Sequence, residues 1–207
     1  MGAAPQRGRP VGASGEETRR RIVAATMRCV ATEGYARATI REIARTAEVT
    51  SASLYNYFPN KSELMKAAVA ARTDVAVPRL RQAAARPGNA TARMEAVLDE
   101  SGRLMREYPD LAAFEWVIRA EKAIAVDAAT DGFQAFRDII DGIIQDAFHE
   151  GGLAGRAERS GAVEAVYALI YGLTELAATL PPKDYHAALA SAKQLIKGTL
   201  LSANAGA

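Results

Sequence analysis

Thr39-Ile40-Arg41-Glu42-Ile43-Ala44-Arg45-Thr46-Ala47-Glu48-Val49-Thr50-Ser51-Ala52-Ser53-Leu54-Tyr55-Asn56-Tyr57-Phe58 reads as two short helices joined by a tight turn. Thr39 and Glu42 have the spacing of a capping box. In that motif a hydroxyl accepts from the third backbone N–H and a carboxylate reaches back to the cap. The spacing therefore predicts a helix from Ile40, with Ile40, Ile43, Ala44 and Ala47 on its apolar face. Thr50 is the expected N-cap of the second helix, with Ala52, Leu54, Tyr55 and Phe58 following it. So short a connection forces a sharp crossing. This is the helix-turn-helix arrangement, whose second helix fits a DNA major groove.

Flanking residues extend the pattern: Arg21-Ile22-Val23-Ala24-Ala25, then Glu33-Gly34-Tyr35, and after the quoted stretch Pro59-Asn60-Lys61 up to Leu64. Over Arg21 to Leu64 the chain resembles the TetR-type bacterial transcriptional regulators. The resemblance implies an all-α fold: a three-helix reading head, then a helical domain for effector binding and dimerisation. It further implies double-stranded operator DNA, a small-molecule effector and a second copy of the chain as partners, and phosphate contacts at Thr39, Tyr57 and Lys61. Two positions depart from the family pattern: Glu48 replaces the usual turn glycine, and Val30 replaces a larger aromatic. A non-glycine residue enters the left-handed region only at a cost, so a slightly reshaped turn is expected.

Charge is placed unevenly. The net charge is +2, yet residues 1 to 60 carry nine arginines, no lysine and five glutamates, so the amino end is basic and the remainder slightly acidic. Such asymmetry fits an amino end facing nucleic acid. The 207 residues are 49% hydrophobic and 24% charged, ordinary for a globular chain with a sizeable core. No run reaches the roughly 20 apolar residues that cross a bilayer, and the first residues lack the apolar run of a secretory signal, so a cytoplasmic protein with no membrane partner is expected. Cys29 is the one cysteine and lies in an apolar helical stretch, where it reads as a small buried hydrophobe.

Upstream of the motif, residues 1–14 are rich in glycine and proline and are expected to form a disordered basic arm. Within it Arg7-Gly8-Arg9-Pro10 has the composition of a minor-groove hook, with Arg7 and Arg9 as the contacting residues. Ser14 and Glu17 repeat the capping-box spacing, predicting a helix from Gly15 or Glu16 to Glu33, closed by Gly34. Residues 15–60 then form the DNA-binding domain. On its second motif helix Ser51, Ala52, Ser53 and Asn56 suit base edges, while Thr50, Tyr55, Tyr57 and Lys61 suit phosphates. That helix has no arginine, so Arg41 and Arg45 of the preceding helix complete the set. Leu54 and Phe58 read as core.

Asn60 and Glu63 make a third capping box. The helix after it is expected to run from Lys61 towards Val75, with Pro78 kinking or ending it. Turn signals then divide the chain into five further helices near 90–107, 110–126, 131–150, 158–180 and 183–202, about nine in all. Residues 61–207 are the expected effector and dimerisation domain. By resemblance its pocket draws on Met105, Phe114, Val117, Ile118, Glu121, Phe133, Phe136, Ile140, Tyr167 and Tyr171, with Glu115, Arg119 and Glu175 as further polar handles. The last two helices are apolar over wide arcs. Val163, Val166, Ile170, Leu195, Ile196 and Thr199 are the expected contacts of a homodimer formed through them, as in the family.

An enzyme reading lacks residues. The two histidines, His149 and His186, have no cysteine or carboxylate cluster at ligand spacing, so neither a metal nor a cofactor is expected. Gly151-Gly152-Leu153-Ala154-Gly155 has no strand before it and no phosphate-loop signature. The reading is a sequence-specific regulator, a repressor released from a palindromic operator by an apolar or amphipathic effector. The alternative is a helical carrier of lipids or other small molecules that binds no specific DNA. That alternative accounts for the carboxy-terminal half and leaves the basic head unexplained.

Overall fold

A computed structural model describes residues 11–120, 127–149 and 159–198, with side chains over 14–119, 134–149 and 159–198. Among these the chain is helical throughout: α1 (Val11–Glu33), α2 (Ile40–Thr46), α3 (Ser51–Tyr57), α4 (Lys61–Ala84), α5 (Ala90–Glu107), α6 (Pro109–Ala120), α7 (Asp127–His149), α8 (Arg159–Thr179) and α9 (Pro182–Lys197). The all-α expectation of about nine helices holds. The caps expected at Thr39, Thr50 and Asn60 each accept a hydrogen bond from the N–H three residues on.

Two apolar cores organise the chain, and α4 belongs to both. The first packs Ile22 and Val30 of α1, Ile43 of α2 and Leu54 of α3 against Leu64, Met65, Ala68 and Val69 of α4. Phe114 and Ile118 of α6 complete it. The second takes Val77, Leu80, Ala83 and Ala84 from the far half of α4 and packs them with Val97 and Leu104 of α5, Ile140 and Ile143 of α7, and Ile170 and Leu173 of α8. Gly102 sets how closely α9 lies on α5: a Cβ there would stand 2.6 Å from the Leu189 methyl.

Four expectations are corrected. α1 starts at Val11 and not after Ser14; Ser14 lies inside the helix, its carbonyl accepting from the Thr18 hydroxyl at 2.9 Å. Pro78 neither ends nor breaks α4. Its missing N–H costs one bond on an exposed face, while Leu80, Ala83 and Ala84 beyond it are buried, and that burial carries the helix on. α9 closes at Lys197, before the expected 202, because Gly198 takes a left-handed cap at φ 71°. Finally, α8 is long and apolar enough to cross a bilayer, at mean hydropathy 1.2, although only 22% of that apolar window is buried within the chain. Length and hydropathy are also what an interface helix has, and the structure leaves its outer face uncovered.

Charge pairs lock α4 to α5. Arg79 Nε donates to Glu100 Oε1 at 2.6 Å and its Nη2 to Glu107 Oε1 at 3.1 Å, while Arg103 Nε donates to Glu100 Oε2 at 2.8 Å. Burial pushes the Glu100 carboxyl up, but the hydrogen bonds from Arg103 and Arg79 outweigh it and hold it below the ordinary range. Arg79 likewise holds Glu107 down. A carboxyl lowered in the folded state adds stability above its unfolded pKa and loses it as the pH falls through the folded one. The melting temperature is therefore expected to fall as the pH drops below about 4, and less steeply in Arg79→Gln; identical acid profiles for the two proteins count against this lock.

The turn between α2 and α3 supplies a second test. Glu48 holds φ 55°, the left-handed value expected of the family's glycine, while Val49 N–H reaches Ala44 O at 2.9 Å. Removing the side chain relieves strain of about 1 kcal/mol, partly offset by the extra freedom of glycine in the unfolded chain. Glu48→Gly should therefore raise the melting temperature, as read by circular dichroism, and a lowered one would show the carboxylate to be stabilising.

Candidate DNA-binding face and effector core

The α2–α3 pair is held from beneath and open above. Ile43, Ala44 and Leu54 are buried, while Arg41, Arg45, Thr50, Ala52, Tyr55 and Asn56 are exposed, Tyr55 by 51%. Ser51, Ser53 and Tyr57 are half-buried along the flanks of α3. The Thr39 and Thr50 hydroxyls accept from Glu42 N–H at 3.2 Å and Ser53 N–H at 3.0 Å. A hydroxyl used as an acceptor keeps its own hydrogen, so both remain donors for a phosphate oxygen. The expected reading residues thus lie together on one rigid surface.

Two of them are engaged elsewhere. The Glu42 carboxylate, expected to reach back to the cap, instead takes the Arg45 guanidinium, with Nε to Oε2 at 3.3 Å. This exposed pair is weak and gives way readily to a stronger anion. Lys61 donates to the Tyr35 carbonyl and stands 4.2 Å from the Tyr35 ring centroid; burial pushes its ammonium pKa down. It anchors the start of α4 to the loop that follows α1. Arg19 performs a similar task, its guanidinium 4.9 Å from the Phe58 ring. Arg7 and Arg9 lie outside the described residues.

Behind the head, a small, partly open cavity of about 60 Å³ lies between α4, α5, α6, α7 and α8. Met105 and Phe136 line it as expected. The other pocket expectations divide. Phe114, Val117 and Ile118 turn the opposite way, into the head core, because α6 is apolar on two faces and the head takes one. Ile140 is wholly buried in the second core. Tyr167 and Tyr171 flank Arg119, whose guanidinium is 5.5 and 5.0 Å from their ring centroids. Glu121 and the Phe133 side chain lie outside the described residues.

The polar wall of this cavity includes a residue that sequence reading overlooked. Arg72 of α4 is 6% exposed and donates to Glu115 of α6, itself 7% exposed. Arg119 Nε donates to the other Glu115 oxygen at 2.6 Å, and its Nη1 to the Tyr167 hydroxyl at 2.9 Å. The signal available was an arginine on the buried stripe of α4, three residues after Val69 and five before Val77.

The expected interface residues divide as well. Val163 and Ile170 are buried inside the chain's own core, and Val166 and Ile196 pack against it. Leu195 is 47% exposed, and a groove between α8 and α9 is lined by Leu169, Gly172, Leu176, Ala188 and Ser191 along with it. A helix apolar on most sides does not reveal which stripe faces in. Thr199 lies outside the described residues. Among the described residues no group of three histidine, cysteine, aspartate or glutamate side chains is placed to hold a metal.

The pattern described as "Bacterial regulatory proteins, tetR family" matches residues 22–68, which span α1 to the first turns of α4. The chain is 39% identical over 64 residues to the HTH-type transcriptional regulator SrpR of Pseudomonas putida, covering 31% of this chain and 30% of that one. It is 32% identical over 94 residues to the HTH-type transcriptional repressor KstR of Rhodococcus jostii, covering 45% and 43%. The chain thus spans less than half the length of the curated relatives it matches. In fold it is similar to the fatty acid degradation regulator FadR of Bacillus halodurans, with TM-score 0.71 and 17% identity over 86% of this chain and 97% of that one. FadR of Bacillus subtilis in complex with stearoyl-CoA gives TM-score 0.72 and 18% identity over 88% and 97%. Residues 22–68 thus match the reading head of the tetR family of bacterial regulatory proteins, and the helical architecture of the chain is similar to that of the two FadR structures.

Proposed function

We propose that this regulator binds a roughly palindromic operator as a homodimer and, acting as a repressor, leaves it when a small amphipathic molecule occupies the core behind the head. The observation that carries the reading is the rigid, capped α2–α3 pair, with Ala52, Tyr55 and Asn56 facing outward beside Arg41 and Arg45. Ser51, Ala52, Ser53 and Asn56 read bases; Thr39, Thr50, Tyr55, Tyr57 and Lys61 meet phosphates. Residues 15–60 act as the head and 61–207 as the effector and dimer domain. Arg7 and Arg9 reach the minor groove.

The dimer forms across the outer face of α8 and α9. Apolar Leu169, Leu176 and Leu195 there need cover, and a two-fold axis supplies it from an identical face. Two heads then stand about 34 Å apart, or a multiple of that, to meet successive major grooves. Occupation of the core tilts α4 and spoils that spacing. A coupling of roughly 1 to 3 kcal/mol suffices to change occupancy 5- to 150-fold. The KstR match, named a repressor, and the acyl-CoA complex of the Bacillus subtilis neighbour support the sign and the kind of control. Operator binding makes the protein's working place the cytoplasm.

Selection of randomised duplex DNA by the full chain at about physiological salt, where non-specific binding is weak, tests the reading. Recovery of an inverted repeat is expected; no enrichment by folded, dimeric protein would overturn it in favour of the carrier. With the selected site in hand, Asn56→Ala should cost about 1–3 kcal/mol and relax preference at one position of each half-site. Lys61→Ala should instead weaken all sequences alike and lower the salt slope by about 1 per head.

A further inference from the structure

The core cavity is lopsided in its hydrogen-bonding groups. One wall is apolar, built from Ala76, Val77, Leu80, Leu104, Met105 and Phe136. The other presents two guanidinium groups, Arg72 and Arg119, and both turn to one carboxylate, Glu115. Glu115 is the one acidic side chain among the described residues that line the cavity. The Thr174 hydroxyl already spends its hydrogen on Ile170 O at 3.0 Å. Just behind the lining, Tyr167 accepts from Arg119 Nη1, which leaves its phenolic hydrogen to donate, and its ring is covered by Arg137 at 4.0 Å. Donors crowd this wall and its acceptors are in use.

Two guanidinium groups can hold two carboxylates, one each, with planar two-point contacts. A neutral head entering the cavity gains no such contact. A cationic head meets two arginines and a carboxylate already engaged twice. We propose that the effector is an organic acid, an apolar body ending in a carboxylate, whose head is held by Arg119 and the Tyr167 hydroxyl while Glu115 stays with Arg72. The inference rests on the reading of this core as the effector site and adds the chemical class of its occupant. Because the cavity is only about 60 Å³, far below the several hundred that enclose a small molecule, entry separates α6 from α8 and draws Arg119 off Glu115.

The test uses the full chain and a series of straight-chain carboxylates of about six to sixteen carbons, lengths whose bodies span the volumes of such sites. Primary alcohols and amines of equal length serve as controls. Binding is measured by calorimetry and by release of the selected operator. The carboxylate should bind roughly tenfold or more tighter than its matched alcohol, the scale of a charge-assisted hydrogen bond, with the amine weakest. Arg119→Met should erase the preference and leave the affinity for the alcohol nearly unchanged. Tyr167→Phe, which removes one hydroxyl and leaves the ring stacked, should reduce it several-fold and guards against a folding defect in the first variant. Equal binding of acid and alcohol, or a preference that survives both substitutions, overturns the acid head and leaves the effector core standing. Failure of all three series to bind overturns both.

Discussion

The structure depends on α4 being buried at its two ends by two different cores. Leu64, Met65 and Val69 fix its start among α1, α2 and α3, while Val77, Leu80 and Ala84 fix its end among α5, α7 and α8. Such a helix cannot bend to suit one core without disturbing the other, because packed interiors resist small displacements and pass them on. Between the two ends stands Arg72, tied to Glu115 on α6. α6 is shared in the same way, with Phe114 and Ile118 under the head and Glu115 and Arg119 against the cavity. The head is therefore held to the body by two helices that each report on the cavity wall.

Buried ion pairs are costly to form and are weak evidence of stability. Replacing Arg72 and Glu115 by apolar groups would serve packing at least as well. Their presence at the junction of the two cores is better understood as specificity of position: a pair with one good geometry holds α4 and α6 in one register. The Arg79–Glu100–Arg103 cluster repeats the device about two turns further along, between α4 and α5, at a half-exposed site where its energetic weight is smaller.

Much of the head was legible in the sequence because its signals are local. Thr39, Thr50 and Asn60 each announce a helix start through one side chain and an N–H three residues away, and Gly34 announces an end. Glu48 stood out because the turn demands a left-handed residue whatever occupies it. The same local logic erred at Ser14, where the capping spacing sits within a helix that already starts at Val11, and at Pro78, where distant burial overrides the proline. In the body the helices were legible and their inward faces were not. α6 and α8 carry apolar residues on several sides, so the sequence alone puts Phe114 at the cavity and Ile170 at an interface, where the structure packs each into a core. Arg72 was missed because its partner lies 43 residues away on another helix.

The smallness of the core cavity has a kinetic and a population side. On the proposed reading, a cavity this small accepts an occupant only in the fraction of molecules in which it has widened, and the apparent affinity falls by that fraction. Sensitivity of the whole protein is then set partly by residues that never touch the occupant, such as those packing α6 beneath the head. On that same reading, loosening Phe114 would raise the widened fraction and tune the response threshold downward, while the Arg72–Glu115–Arg119 wall stayed unchanged.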